Sequence, residues 1–431
     1  MIEQAQEILQ QNWRKSFTIP CDKLYPFQWK WDSGFIAIGL AHFDIERAKT
    51  EIKTLLKAQW KNGMIPHIVF HNDSDTYFPG KDFHNSILSF NAPKNFPSTG
   101  LVQPPVLGFV LEEFYRICED KQDLLKFISA QIDKVYLNHE YFYTNRDINN
   151  EGLVYIYHNW ESGTDNSPMW DDIWKTFDPP EYDFERKDTT HIAADQRPTK
   201  REYDYYIHLI NIAKQYHYED ASIAKYSPFL IQDPLFNALL IKSNESLIKL
   251  YKLLGDNTDK IQQLIKWNTM AIESFNSKLW NDGLKAYVHY DLKNEQQLTY
   301  ISSSSFAPLF AGIPTPSRAE ELLNTFNSRF AKENYYLCAS FDPTHPNFKP
   351  KKYWRGPIWI NMNWIIYRGF RRFGHTELAE RVKTDSIELI QKCGFYEYFD
   401  PRKEMNKEEA IGLGGFKFSW SAALIIDLLN E

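Results

Sequence analysis

The sequence is poor in cysteine, in clustered positive charge and in long apolar runs, and each shortage removes a class of protein. Its 431 residues include 4 cysteines, Cys21, Cys118, Cys338 and Cys393. They stand too far apart for a CxxC pair or a dense disulfide framework, so reduced, mostly buried thiols are expected. Nowhere do about 18 apolar residues run together, the length a membrane helix needs. The opening MIEQAQEILQQNWRK carries acids and glutamines where a secretion signal would be basic and then apolar. A soluble, cytoplasmic chain with no membrane partner is the expectation. Net charge is -7 and the pI about 6.0. No block of lysine and arginine marks a nucleic-acid surface, and nucleic acid is not expected as a partner. GxGxxG, GxxxxGK[ST], HExxH and GxSxG are absent, which leaves a nucleotide fold, a zinc protease and a serine hydrolase without a motif.

Aromatic residues are abundant at 16%, with Trp 13, Tyr 25 and Phe 30. Flat amphipathic rings cover the apolar faces of a sugar while polar groups bind its hydroxyls, although large cores also consume them. Apolar residues recur at helical spacing around Ile8 and Leu9, then over 35–60, 106–118, 124–137, 205–213, 235–254 and 261–279. The pattern resumes over 319–330, 358–373, 378–393 and 420–429, with a short helix at 306–310. "DPLFNALL" and "TPSRAEELL" carry helix-start signals, while "LGDNTDK" and "FGHTE" read as tight turns. Strands are expected almost only at "AYVHYDL", near Ala286. The layout is all-α, about twelve helices that six hairpins closed into a ring would use up. Long aromatic-rich connections at 61–100, 141–201, 281–301 and 332–357 interrupt the scaffold, and loops of that length are usually functional. They are expected on one face of a single domain spanning 1–431. The sequence is silent on oligomeric state, and a homo-oligomer is left open.

Several stretches could carry chemistry. "NWESGTDNSPMW" sets Glu161 and Asp165 in a small-residue loop around Gly163, walled by Trp160 and Trp170. An acid that must stay protonated near neutral pH needs an apolar or acidic surround, and aromatic walls supply one. Asp165 could equally close an Asx-turn or cap. "CGFYEYFDPRKE" offers Glu397 among Tyr396, Tyr398 and Phe399, the alternative being an exposed glutamate between tyrosines. "YPFQWKWDSGF" places Asp32 beside Trp29 and Trp31, either as a helix N-cap or as an acceptor for sugar hydroxyls. "DQRPTKREYDYY" contains Arg197 and Tyr203; the arginine would hold a carboxylate by two parallel hydrogen bonds, or neutralise Asp195 or Asp204. "KKYWRGPIWINMNW" gathers Tyr353, Trp354, Arg355 and Trp359. His67 and His71 in "PHIVFHN" lie four apart in an extended run, where they would share a face, but no metal is expected. "SSSS" at Ser302 to Ser305 is a helix entry or a loop over the site.

Taken together, "YPFQWKWDSGF", "KNGMIPHIVF", "WESGTDNSPMWD", "RGPIWINMNWI", "EYFDP" and "FKFSWSAAL" resemble glycoside hydrolase family 63. The likeness is to its branch of small bacterial mannosylglycerate and glucosylglycerate hydrolases. The resemblance implies an (α/α)6 barrel that hydrolyses an α-glycosidic bond with inversion, without metal or organic cofactor. Asp165 is then similar to the general acid and Glu397 to the general base, with carboxyls roughly 6.5 to 9.5 Å apart to admit a water. Asp32, with Trp29 and Trp31, resembles the sugar-holding group; Trp160 and Gly163 stand beside it. Tyr25, Gln103, Arg197 and Tyr203 correspond to the groups that hold a charged aglycone, with Tyr353, Trp354 and Trp359 lining the pocket. The expected substrate is a small anionic glycoside of glycerate. A neutral disaccharide of the trehalose or kojibiose type is the alternative within the class, and a sugar epimerase or isomerase, or a sugar-binding protein without catalysis, lies outside it.

Overall fold

Twelve helices of the computed structural model alternate between an outer and an inner ring; the structure describes residues 1–255, 258–403 and 412–431. The inner six are Lys30–Ala41, Leu107–Ile117, Pro234–Leu254, Ala307–Phe310, Ile360–Arg372 and Ser419–Leu429. Each packs on the next, and the last packs on the first, which closes the ring. The outer six are Ile2–Gln11, Ile45–Leu56, Lys121–Asn145, Thr258–Ser274, Pro316–Arg329 and Thr376–Cys393. The expected (α/α)6 barrel is the architecture found.

Burial explains which helix goes where. All 12 residues of Lys30–Ala41 are buried, as are most of Ser419–Leu429, so neither has a polar stripe to show to water. The outer helices bury one face only; Ile45–Leu56 tucks Ala48, Ile52 and Leu55 inward. Helix starts are chemically marked. Asp233 accepts from the backbone of Leu235 and Phe236 ahead of Pro234, and Thr315 accepts from Arg318 ahead of Pro316. Each such cap is worth about 1 kcal/mol.

The structure departs from the sequence reading in several places. The 35–60 run is two helices, broken where Asp44 caps Ile45–Leu56. Strands are not confined to "AYVHYDL": among the described residues, ten strands of two to five residues form four small antiparallel sheets. Within that stretch Ala286–Tyr287 pairs with Trp280–Asn281, while His289–Asp291 pairs with Gln296–Leu298 and Ile231–Gln232. Such strands are too short to display a period of two. Cys21, Cys118 and Cys338 are free, and of the four cysteines only Cys21 and Cys338 are buried. Part of the "LGDNTDK" turn, residues 256 and 257, lies outside the described residues. Ser302 to Ser305 are buried and form a helix entry, with a capping box on Ser302. No helix among the described residues is long and apolar enough to cross a membrane.

The short turns run from inner to outer helices, and the long connections run from outer to inner ones. There are six of the latter, at 12–29, 57–106, 146–233, 275–306, 330–359 and 394–418, two more than the sequence suggested. Each delivers the chain to the N-terminus of an inner helix. Residues from five of them line one cavity.

Candidate active site

The cavity holds about 720 Å³ counted out to its mouth, and all fourteen residues singled out as site groups reach its wall. Pairing of Gln28–Trp29 with Ile68–Val69 fixes its first edge. Trp29 is the N-cap residue of Lys30–Ala41 and Asp32 its third residue, so the N-cap reading of Asp32 is set aside. The backbone N–H of Trp31 donates to Gln103 Oε1 at 3.0 Å, which holds Gln103 against the cavity. Asp32 is 4% exposed, and burial pushes its carboxyl well above the usual range. Hydroxyl groups donating to it would reverse that shift.

The two acids of "NWESGTDNS" have separate fates. Glu161 is wholly buried. Its oxygens take Arg146 Nη1 at 3.1 Å and Nη2 at 3.3 Å, with the backbone N–H groups of Val102 and Tyr157 at 3.1 and 2.8 Å. It ties the loop down and does not face the cavity. Gly163 then turns the chain at φ 76°, where a Cβ would lie 2.5 Å from the Trp31 ring. No larger residue fits between that ring and the acid loop. Asp165 emerges into the cavity, where the Tyr353 hydroxyl favours its ionised form. Burial, with Glu397 adding its negative charge, pushes the Asp165 carboxyl up to about 7 against the opposing pull of Arg197. Downstream, Asn166 Oδ1 accepts from the Trp354 backbone at 2.9 Å, and Arg355 pairs with Asp171 through 2.8 and 2.6 Å contacts. Arg355 is therefore part of the loop's anchorage, outside the cavity wall.

Glu397 sits on the Tyr396–Phe399 strand, paired with Gly412–Phe416 through a register shift after Leu413. The shift aims the Gly415 N–H at Glu397 Oε2, 2.9 Å away, while the Tyr25 hydroxyl donates to Oε1 at 2.8 Å. Gly414 has φ 71°, and a Cβ there would stand 2.5 Å from Oε2. Glu397 is 1% exposed, which rules out the solvent-facing alternative. Burial raises its carboxyl above the ordinary value, with Arg197 and the two hydrogen bonds pulling it back.

Arg197 lies 4.1 Å over the Tyr353 ring. Neither Asp195 nor Asp204 neutralises it; Asp204 is taken by Lys200 at 2.7 Å. Its partners are Asp188, at 3.2 Å from Nε, and more distantly Glu397, at 3.8 Å from Nη1. Buried Nη1 has no hydrogen-bond partner. Tyr353 holds φ 42°, a left-handed backbone that costs a non-glycine residue on the order of 1 kcal/mol or more and gathers at functional sites. Trp354 and Trp359 stack at 3.8 Å and 2°, and Tyr398 stacks on Trp359 at 4.7 Å. Trp160 meets Tyr203 edge-on at 6.2 Å on the far wall.

Several lining residues escaped the sequence reading. His67 faces the cavity, but His71 stacks on Phe17 at 4.3 Å and bonds Gln28, so the two do not share a face. Tyr77 and Asp188 come from polar stretches that offered no signal, while Trp420 was visible in "FKFSWSAAL" without a role. Among the described residues no group of three histidines, cysteines or acids could hold a metal ion.

One buried and one partly buried carboxyl, one unpartnered guanidinium nitrogen and a wall of stacked rings suit acid-base chemistry on a small polar molecule with a charged end. A family model for the mannosylglycerate hydrolase MGH1-like glycoside hydrolase domain matches residues 25–421. A mannosylglycerate hydrolase of Thermus thermophilus is 39% identical over 98% of this chain and 99% of its own. A glucosylglycerate hydrolase of Mycolicibacterium hassiacum is 32% identical over 99% of this chain and 97% of its own. Among solved structures, a family 63 mannosylglycerate hydrolase of Thermus thermophilus in complex with Tris and D-glycerate superposes with a TM-score of 0.90. It is 37% identical, and the match covers 100% of this chain and 99% of its own. The chain belongs to the MGH1-like mannosylglycerate hydrolase family of glycoside hydrolases.

Proposed function

We propose that this enzyme hydrolyses 2-O-α-mannosyl-glycerate, α-glucosyl-glycerate or both, releasing hexose and glycerate with inversion, and that residues 1–431 act as one catalytic unit. Asp165 is the general acid. With its carboxyl near 7, about half of the molecules carry the proton at neutral pH, and these can deliver it to the leaving oxygen of glycerate. Glu397 is the general base. Its two hydrogen-bond donors and Arg197 favour the ionised form that takes a proton from water as the water attacks the anomeric carbon. Because the two carboxyls feel one another, they titrate as a pair. Asp32 receives sugar hydroxyls, with Trp29 and Trp31 against the ring. Tyr25, Gln103, Tyr203 and Arg197 receive the glycerate, whose carboxylate meets Nη1.

One observation carries this reading: the unpartnered, buried Arg197 Nη1 opens into the same cavity as both acids. The free thiols of Cys21, Cys118 and Cys338 are in keeping with a reducing, cytoplasmic setting. The test is release of sugar from mannosylglycerate, glucosylglycerate and trehalose side by side, with the first-formed anomer followed by NMR. Cleavage of a glycerate glycoside to the β-anomer is expected. Brisk cleavage of trehalose alone would transfer the enzyme to neutral disaccharides, and an α-anomer would remove inversion. A ligand-bound crystal structure should place the Asp165 and Glu397 carboxyls about 6.5 to 9.5 Å apart.

A further inference from the structure

Arg197 stands between two carboxylates that compete for it. On its Nε edge, Asp188 Oδ2 accepts at 3.2 Å. Across the guanidinium, Glu397 Oε1 lies 3.8 Å from Nη1, close enough for attraction and too far for a hydrogen bond. Asp188 is itself held from behind, since Arg186 donates Nε to Oδ1 at 3.0 Å and Nη2 to Oδ2 at 2.7 Å. Arg186 in turn lies 4.5 Å over the Tyr203 ring. The other titratable groups that Arg197 faces are Cys21, Tyr25, Tyr77, Asp165, Tyr203, Tyr353 and Tyr398. Arg186, Asp188 and Arg197 thus form a row of net charge +1, ending in one open donor at the cavity.

Without Asp188, no acceptor on the Nε edge would oppose the pull of Glu397 on the guanidinium. Such a contact would bind the base in an ion pair and consume the donor meant for the aglycone. The row's single net charge also suits one carboxylate better than a neutral group or a dianion.

We propose that Asp188 is a positioning residue that holds Arg197 away from Glu397 and thereby sets the enzyme's preference for a singly charged aglycone. This deepens the glycoside reading above and rests on it.

The experiment compares the parent enzyme, Asp188→Asn and Asp188→Glu on two substrates: mannosylglycerate, and the analogue whose carboxylate is replaced by hydroxymethyl. Asp188→Asn should raise KM for the charged substrate about tenfold, about 1.4 kcal/mol, and leave KM for the neutral one within about twofold. The acidic limb of its kcat/KM profile should move to lower pH, because Arg197 now stabilises ionised Glu397. Asp188→Glu should restore most of the charged-substrate KM. Equal changes on both substrates, a fall in KM for the charged one, or an unmoved acidic limb would overturn the proposal. Should Asp188→Asn not fold, Arg186→Gln loosens the same row from behind; it should raise KM for the charged substrate alone, and equal effects on both would count against the idea. Failure of the parent glycoside reading shows itself separately, as a parent enzyme that does not prefer the charged substrate.

Discussion

The two ends of the barrel treat buried carboxylates in opposite ways. At the end where the inner helices finish, Asp427 is wholly buried. It receives His42 at 2.8 Å, the Trp364 indole at 2.8 Å, Arg368 at 3.1 Å and a close contact from Arg116. Burial alone would push that carboxyl up, but His42, Arg368 and Arg116 hold it far below the usual range. At the end where the inner helices begin, Asp32, Asp165 and Glu397 are raised, because burial outweighs their few donors. Saturating a buried acid with donors makes it a fixed anion that ties elements together. Leaving it short of donors makes it reactive and costs the fold some stability.

Substitutions at the two ends should therefore fail differently. Asp165→Asn and Glu397→Gln should each lower kcat by about a thousandfold, with a melting temperature equal to or above the parent's. A variant with near-parent turnover would erase the distinction on the open side. Asp427→Asn should do the reverse, costing about 3 kcal/mol by leaving Arg116 and Arg368 undercompensated. Denaturant titration measures that loss, and turnover per folded molecule should hardly change.

Glu51 sharpens the comparison from an intermediate position. It is buried between Ile45–Leu56 and Lys30–Ala41, takes Gln28 at 2.9 Å and Ser33 at 2.5 Å through Oε1, and leaves Oε2 without a partner. Burial raises it from 4.5 to about 7. Since the folded value lies above the unfolded one, the parent loses stability as pH rises from about 4.5 to 7, by up to roughly 3 kcal/mol. Glutamine mimics the protonated acid, so Glu51→Gln should melt a few degrees higher at pH 8, with the gap closing towards pH 5. A constant gap would show that charge is not the cause. The smallest effect is in the parent's own pH profile. With Asp165 near 7, kcat/KM should fall on the alkaline side from about pH 7, approaching tenfold per unit, and Asp165→Asn should remove that limb.

The ring was legible because its helices are long and periodic. The 106–118 segment differs from Leu107–Ile117 by one residue at each end. Asp165, Glu397 and the tryptophans were legible because acids among rings are unusual in a loop. Sequence could not separate Glu161 from Asp165, since the partner that claims Glu161 is Arg146, on the far side of another turn. Asp188 was invisible for a related reason. It sits in a polar stretch among other acids, two residues after Arg186, and only folding fixes that neighbour and Arg197 on its two oxygens. The connections 12–29 and 394–418 were overlooked because short bridges and strands leave no period, although Tyr25 and Glu397 within them were noticed.

The ring is sealed by helix Lys30–Ala41 lying against Ser419–Leu429, and Asn12 Nδ2 reaches Ser419 Oγ at 2.9 Å across that seam. A chain emerging from the ribosome cannot make this junction until the Ser419–Leu429 helix has been synthesised. Until then the largely buried inner helices lack their neighbours, and Tyr25, supplied early, waits for Glu397, supplied late. Assembly of the catalytic pair is thus coupled to completion of the circle, and unsealed intermediates are the species in which aggregation and chaperone capture should concentrate.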